Sequence, residues 1–257
     1  MPATDLSLLI EAAQEAGRVA TAFSGSKVKT WHKPEGAGPV TEADLAVNEM
    51  LENKLRCARP DYGWLSEESR DNGDRLSADT VFIIDPIDGT RSFIDGSKTW
   101  AHSLAIVRHR EVIAAVVYLP LKGKLYSAAS GHGASLNGTP IKPTDRVGLT
   151  GANMLVARPV MDAQHWRHAP PSVTRSYRPS LAYRLALVAE GRYDAMLTLR
   201  PTWEWDIAAG DLILREAGAV TSDRKGEKLI FNNPDPRVQG IIAGNTRVHH
   251  DISNALI

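Results

Sequence analysis

Apolar side chains recur at Leu8, Leu9, Ala12, Ala16, Val19, Ala20 and Phe23, a spacing that predicts an amphipathic helix over residues 5 to 23. A Gly/Pro-rich loop, KPEGAGP at 33 to 39, separates it from TEADLAVNEMLENKL. That stretch predicts a second helix with Val47, Met50, Leu51 and Leu55 as its buried stripe. The rhythm then changes. VFIID at 81 to 85 is an unbroken apolar run of strand length, and Pro86 is expected to stop it. HSLAIVRH and VIAAVVYLP, on either side of Arg110-Glu111, predict antiparallel strands, and LYSAAS extends the meander. LNGTP carries an Asn-Gly turn signal.

Beyond about residue 145 the pattern alternates. Helix SLAYRLALVAEG is followed by strand DAMLTL, helix WDIAAGDLILREAG and two late strands near 228 to 231 and 239 to 243. The ordering predicts a layered α/β chain with two subdomains, residues 1–145 and 146–257. No internal repeat is visible.

Composition narrows the function classes. The 257 residues suffice for one large domain or two small ones with a full core. Thirty basic and thirty acidic residues cancel, which argues against a nucleic-acid partner or an acidic membrane surface. The single cysteine, Cys57, excludes an internal disulfide framework and fits a reducing compartment. At the end of a helix stripe it reads as a small, buried or half-buried residue. The N-terminus has no basic region before an apolar core, and no apolar run reaches the 18 or so residues of a membrane span. The expected compartment is the cytoplasm.

The stretch VFIIDPIDGTRSF carries the chemistry. Asp85 sits where a strand emerges, Pro86 turns the chain, and Asp88 falls where it can point toward the same place. Gly89 permits close backbone approach, Thr90 supplies a hydroxyl, and the N–H groups of the turn suit an anion. Carboxylates and a main-chain carbonyl without cysteine or histidine are hard oxygen ligands, suited to Mg²⁺ rather than zinc. A solvated Asp-Gly turn is the bland alternative. Three further acidic positions weigh against it, each with its own modest reading. Glu67 and Glu68 in WLSEES fit an exposed loop end, Asp44 in TEAD a capping box, and Asp206 in EWDIAAGDLILREAG an N-cap beside a core Trp205.

DPIDGT (85 to 90), SEES (66 to 69), VTEAD (40 to 44) and WDIAAGDLILREAGA (205 to 219) together resemble the inositol monophosphatase superfamily, over nearly the whole chain. The resemblance implies an α-β-α-β-α sandwich and a Mg²⁺-dependent, lithium-sensitive phosphatase of small phosphate monoesters, often dimeric. It implies metal ligands at Glu67, Asp85, the Ile87 carbonyl, Asp88 and Asp206, with Asp44 near a third, weaker metal. Thr90 matches the threonine that orients the attacking water together with Glu67, and Lys33 lies where the family often has a basic residue.

Two departures bear on the substrate. The inositol branch has a glutamate seven residues before the Trp-Asp aspartate, and Leu199 stands there; Ser66 stands where a glycine is usual. DGTRSF and RPTWEWDIAAG resemble the 3'(2'),5'-bisphosphate nucleotidase branch more closely. Arg91 would then meet a second phosphate, with Asp88, Gly89, Thr90, Ser180 and Asp206 on the substrate side. Inositol 1-phosphate is the alternative, followed by histidinol phosphate and fructose 1,6-bisphosphate. A binding protein without catalysis is expected to have lost ligands, and none is lost. A zinc hydrolase lacks paired histidines, since His249-His250 read as a solvated tail.

Overall fold

A computed structural model describes residues 4–23, 28–33 and 38–257. Residues 34–37 of the expected Gly/Pro loop lie outside the described residues. The first two helices form as the spacing predicts. Helix α1 spans Asp5–Ala22, capped by Thr4, whose hydroxyl accepts from the Ser7 N–H. Helix α2 spans Glu42–Ala58 and buries Val47, Leu51 and Leu55, with Met50 at the edge of the packed face. A small antiparallel pair, β1 (Thr30–His32) and β2 (Pro39–Thr41), lies between them.

The next stretch builds a seven-stranded sheet from β3 (Gly63–Ser66), β4 (Thr80–Asp88), β5 (Ala101–Arg108), β6 (Glu111–Leu119), β7 (Lys124–Ala129), β8 (Ala134–Leu136) and β9 (Thr139–Pro140), in that spatial order. Only β3–β4 is parallel; the remaining neighbours are antiparallel. A one-turn helix α3 (Thr90–Ile94) follows β4. The β5–β6 hairpin turns at His109–Arg110, both at positive φ, one residue earlier than the sequence suggested. Asn137 and Gly138 make the expected turn, also both at positive φ.

The second sheet comprises β10 (Asn153–Val156), β11 (Thr174–Ser176), β12 (Ala195–Trp203), β13 (Val220–Ser222) and β14 (Arg237–Gly244), in the order β11-β10-β12-β14-β13. Helices α4 (Leu181–Ala189) and α5 (Glu204–Glu216) pack between the two sheets, and α6 (Thr246–Ala255) covers the outer face of the second. Helices α1 and α2 cover the outer face of the first, where Phe82 and Ile84 of β4 meet them; Val81 and Ile83 face α4 and α5. The layers therefore run α-β-α-β-α. No helix among the described residues is long and apolar enough to cross a membrane.

Four expectations are corrected. Pro86 does not stop its strand, because β4 continues to Asp88 across an irregularity in its pairing with β5. Residues 228–231 form no strand. Leu229 and Phe231 are buried and Ile230 is exposed, so the alternation is real, but no ladder flanks it. Cys57 is exposed, one residue from the helix end. Of the expected solvated tail, His249 is in fact buried in α6, with Nε2 2.8 Å from the Ser222 hydroxyl.

Candidate metal centre

Carboxylate oxygens of Asp85, Asp88 and Asp206 lie within 4.8 Å of one another. Asp85 and Asp88 come from the end of β4, where the pairing with β5 steps from Asp85–Ser103 to Asp88–Ala101. Three residues on β4 thus answer two on β5, a bulge of one residue. The Asp85 carboxylate accepts from the Ile87 N–H at 3.0 Å, which fixes the bulged segment from within. From behind, His102 of β5 sets Nδ1 2.5 Å from the Pro86 carbonyl. Gly89 follows at φ 98°, a conformation that favours glycine, and an added Cβ would lie 3.5 Å from Ser180 Cβ.

Asp88 is held from α4. Its Oδ2 accepts from the Ser180 hydroxyl at 2.7 Å and the Ala182 N–H at 2.6 Å, so one carboxylate edge serves as anchor for the helix N-terminus. Ser180 thus stands against Asp88 itself. Asp206 is not an N-cap, as the bland reading had it; Trp203 occupies that position, and Asp206 lies three residues in. From there its side chain reaches back to the Trp203 N–H. Trp205 is buried, as expected of a core aromatic, and stacks on Trp203 at 4.7 Å. Gly210 lets α5 approach α4 closely, since a Cβ there would lie 2.5 Å from Leu185 Cδ1.

Asp44 has two roles. It closes the capping box with Thr41, as the sequence suggested, through the Thr41 N–H at 2.8 Å. Its other oxygen lies 3.1 Å from the Thr90 hydroxyl, which is also 3.2 Å from the Ile87 carbonyl. Glu67 and Glu68 follow β3, and Lys33 Nζ lies 2.7 Å from Glu67 and 2.8 Å from Glu68. Ser66, in the place of the usual glycine, donates to Asn48 Oδ1 at 2.6 Å and so ties this loop to α2. Arg91 is exposed and lines a cavity with His32 and with Lys33, the lysine paired to Glu67 and Glu68.

The electrostatics call for a cation. Burial raises the Asp85 carboxyl well above its ordinary range, and the charges of Glu67, Asp88 and Asp206 raise it further. Burial raises Asp206 likewise, with Asp88 and Glu67 adding to it. Asp88 is pushed up to about 6 by burial, against the opposing hydrogen bonds from Ser180 and α4. Glu68 is pushed up to about 7 by burial and by Glu67. Neighbouring carboxylates that resist ionisation are stabilised by a divalent ion, and an all-oxygen donor set fits Mg²⁺.

Sequence reading missed the arginines beside this cluster. A cavity of about 480 Å³ is lined by Tyr177, Arg184, Leu199, Arg200 and Arg224 among others. Arg184 is buried, lies over the Tyr177 ring at 4.3 Å, and donates to the Arg178 carbonyl. Its charge favours the ionised form of Asp88, and that of Arg200 does the same for Asp206. Arg184 belongs to no local motif, and Arg200 opens the RPTWEWDIAAG segment but was given no role there. Leu199, noted for what it is not, is the cavity residue to which the sequence assigned a meaning.

A family model described as "Inositol monophosphatase family" matches residues 2–257. An inositol-1-monophosphatase of Mesorhizobium japonicum is 31% identical, covering 98% of this chain and 95% of the relative. The Nus factor SuhB of Escherichia coli is 30% identical, covering 95% and 92%. Among solved structures, SaIMPase-II with bound 2'-AMP superposes with a TM-score of 0.79 at 25% identity, covering 96% of this chain and 91% of that one.

Proposed function

From the premise that this chain belongs to the inositol monophosphatase family, a family of phosphatases, we propose that it is a Mg²⁺-dependent hydrolase of small phosphate monoesters. The observation that carries the metal site is the convergence of Asp85, Asp88 and Asp206 within 4.8 Å. In this reading those three, with Glu67 and the Ile87 carbonyl, hold Mg²⁺, and Asp44 stands near a weaker third position. Bound there, the metal supplies an acidified water and offsets the charge of the phosphate dianion. The chain's own residues then position the reactants. Glu67 and Thr90 hold the attacking water, Thr90 being itself oriented by Asp44 and the Ile87 carbonyl. The Gly89–Thr90 backbone steadies the phosphoryl oxygens. Lys33 balances the Glu67–Glu68 pair, so that the second glutamate does not repel the substrate.

For the substrate, the reading favours a nucleotide carrying two phosphates, with 3'-phosphoadenosine 5'-phosphate as the representative. The support is the cavity beside the carboxylates, which joins Arg184, Arg200 and Arg224 to apolar Leu197 and Leu199 and the Tyr177 ring. Arginines suit a second phosphate, and the apolar wall suits a base better than a polyol. The 2'-AMP bound to SaIMPase-II is a nucleotide monoester on a related fold. Inositol 1-phosphate is the second reading, favoured by the name of the Mesorhizobium relative. The same proposal includes the subdomains 1–145 and 146–257, for which the separate strand sets of the two sheets are the support, and the family's lithium sensitivity and homodimer.

Phosphate release from both esters, with Mg²⁺ and with excess EDTA, tests both levels. Turnover in EDTA refutes the metal reading. Arg184→Ala is expected to raise KM for the bisphosphate and leave that for inositol 1-phosphate unchanged. Equal effects, or a wild-type preference for inositol 1-phosphate, would refute the nucleotide reading.

A further inference from the structure

We propose a second anion site, whose lining includes none of the clustered carboxylates, that takes a small phosphate-class oxyanion. It is a cavity of about 300 Å³ lined by Lys122, Lys124, Arg178, Tyr183, Leu187 and Arg192. Its walls come from the β6–β7 connection on one side and from α4 and its flanking loops on the other.

Four cations around one small hollow repel one another unless something negative lies between them. One carboxylate adjoins them. Glu190 takes Lys124 Nζ at 2.8 Å and the Tyr126 hydroxyl at 2.9 Å, so its charge is committed to the lysine. Arg178 meets only neutral acceptors, the Tyr177 carbonyl at 2.6 Å and the Tyr193 hydroxyl at 3.0 Å. Lys122 and Arg192 form no ion pair among the described residues. In a chain whose formal charges sum to zero, three uncompensated cations here are a local excess.

The geometry adds a neutral donor. Tyr183 lies mostly buried, and its side chain lines the cavity with no hydrogen bond among the described residues. A phenol, two guanidinium groups and an ammonium make the donor set that an oxyanion with several oxygens accepts from. The volume limits the ligand to inorganic phosphate or a short phosphorylated molecule. On its backbone side, Tyr183 N donates to Ser180 Oγ at 3.0 Å, and Ser180 Oγ donates to Asp88.

Inorganic phosphate is titrated into the metal-free protein in EDTA, where the buried carboxylates without a cation repel it. Binding in this cavity is told apart from binding beside Arg184, Arg200 and Arg224 by its dependence on Lys122 and Arg192. The expected result is saturable binding of millimolar strength or tighter, read from the arginine Nε–H resonances. Binding is expected to weaken at least tenfold in Lys122→Ala/Arg192→Ala, two exposed positions whose loss leaves the fold intact, and to persist in Asp88→Asn. Mg²⁺-dependent turnover of the double variant at low phosphate should match wild type. Absence of saturable binding, equal binding by the double variant, or loss of binding in Asp88→Asn overturns the proposal.

Discussion

Asp206→Asn separates a ligand from a structural aspartate. At its place in the first turn of α5, the side chain accepts from the Trp203 N–H, and an asparagine oxygen accepts equally well. The variant should therefore melt near wild type. Loss of the ligand charge should lower kcat/KM by about a hundredfold or more, a barrier change of ~2.7 kcal/mol. A variant with most of its activity removes Asp206 from the metal site. His102 makes a second residue-scale prediction. Burial depresses its pKa to about 4, while its Nε2 has no partner. A depressed folded-state pKa contributes stability above the unfolded value near 6.5, and that stability is lost as pH falls toward 4. The loss across this window is on the order of 3 kcal/mol. Urea midpoints of the metal-free protein between pH 7 and 5 should fall more steeply for wild type than for His102→Gln. Parallel slopes would place the acid sensitivity elsewhere.

Helices α4 and α5 carry the two halves of one constraint. Ser180 and the first turn of α4 hold Asp88, α5 carries Asp206, and Gly210 against Leu185 sets their separation. In an exposed helix, alanine for glycine stabilises by about 1 kcal/mol. Here the added methyl would stand 2.6 Å from Leu185 Cβ, an overlap that forces the helices apart. Gly210→Ala should cost about 1–3 kcal/mol and raise the Mg²⁺ concentration for half-maximal turnover. Thermal melting and metal titration of Gly210→Ala, Leu185→Ala and the double variant check this. The double variant should lose less than the sum of the two singles.

At the scale of the molecule, the proposed ligands tie together pieces far apart in the chain. Asp85 and Asp88 end a strand of the first sheet, and Asp206 begins a helix that follows directly on a strand of the second. A cation bound among them is part of what holds the folded arrangement. The melting temperature should rise with Mg²⁺, by about 1.4 kcal/mol of stability per decade above the dissociation constant, and Asp206→Asn should flatten that rise. The layers were legible because helix and strand periods differ and because each long element obeys one of them. Residues 228–231 show the limit, since alternation reports which side chains are buried and not whether a neighbouring strand exists. Asp85 and Asp88 were legible as a local motif. Asp206, alone, read as a cap. Arg184 left no trace, and Arg200 stood in the RPTWEWDIAAG segment without a role, because a cation in the middle of a helix or strand looks solvated until the fold turns it toward a carboxylate.

The irregularity in β4 has a consequence of parity. Along a regular strand, odd and even residues face opposite sides. Val81 and Ile83 look toward α5, whereas Phe82 and Ile84 look toward α2. Asp85, being odd, follows Val81 and Ile83. Asp88 is even, and in an unbroken strand it would look toward α2, with the whole thickness of the sheet between the two carboxylates. The one extra residue between them reverses the count, and Asp88 turns to the side where Ser180 and Asp206 wait. Deleting Ile87 would tidy the strand pairing and keep both aspartates on one side of the sheet, two places apart, but it would remove the N–H that Asp85 accepts from and the carbonyl that Thr90 meets. One residue added between them would instead carry the second carboxylate to the wrong side of the sheet.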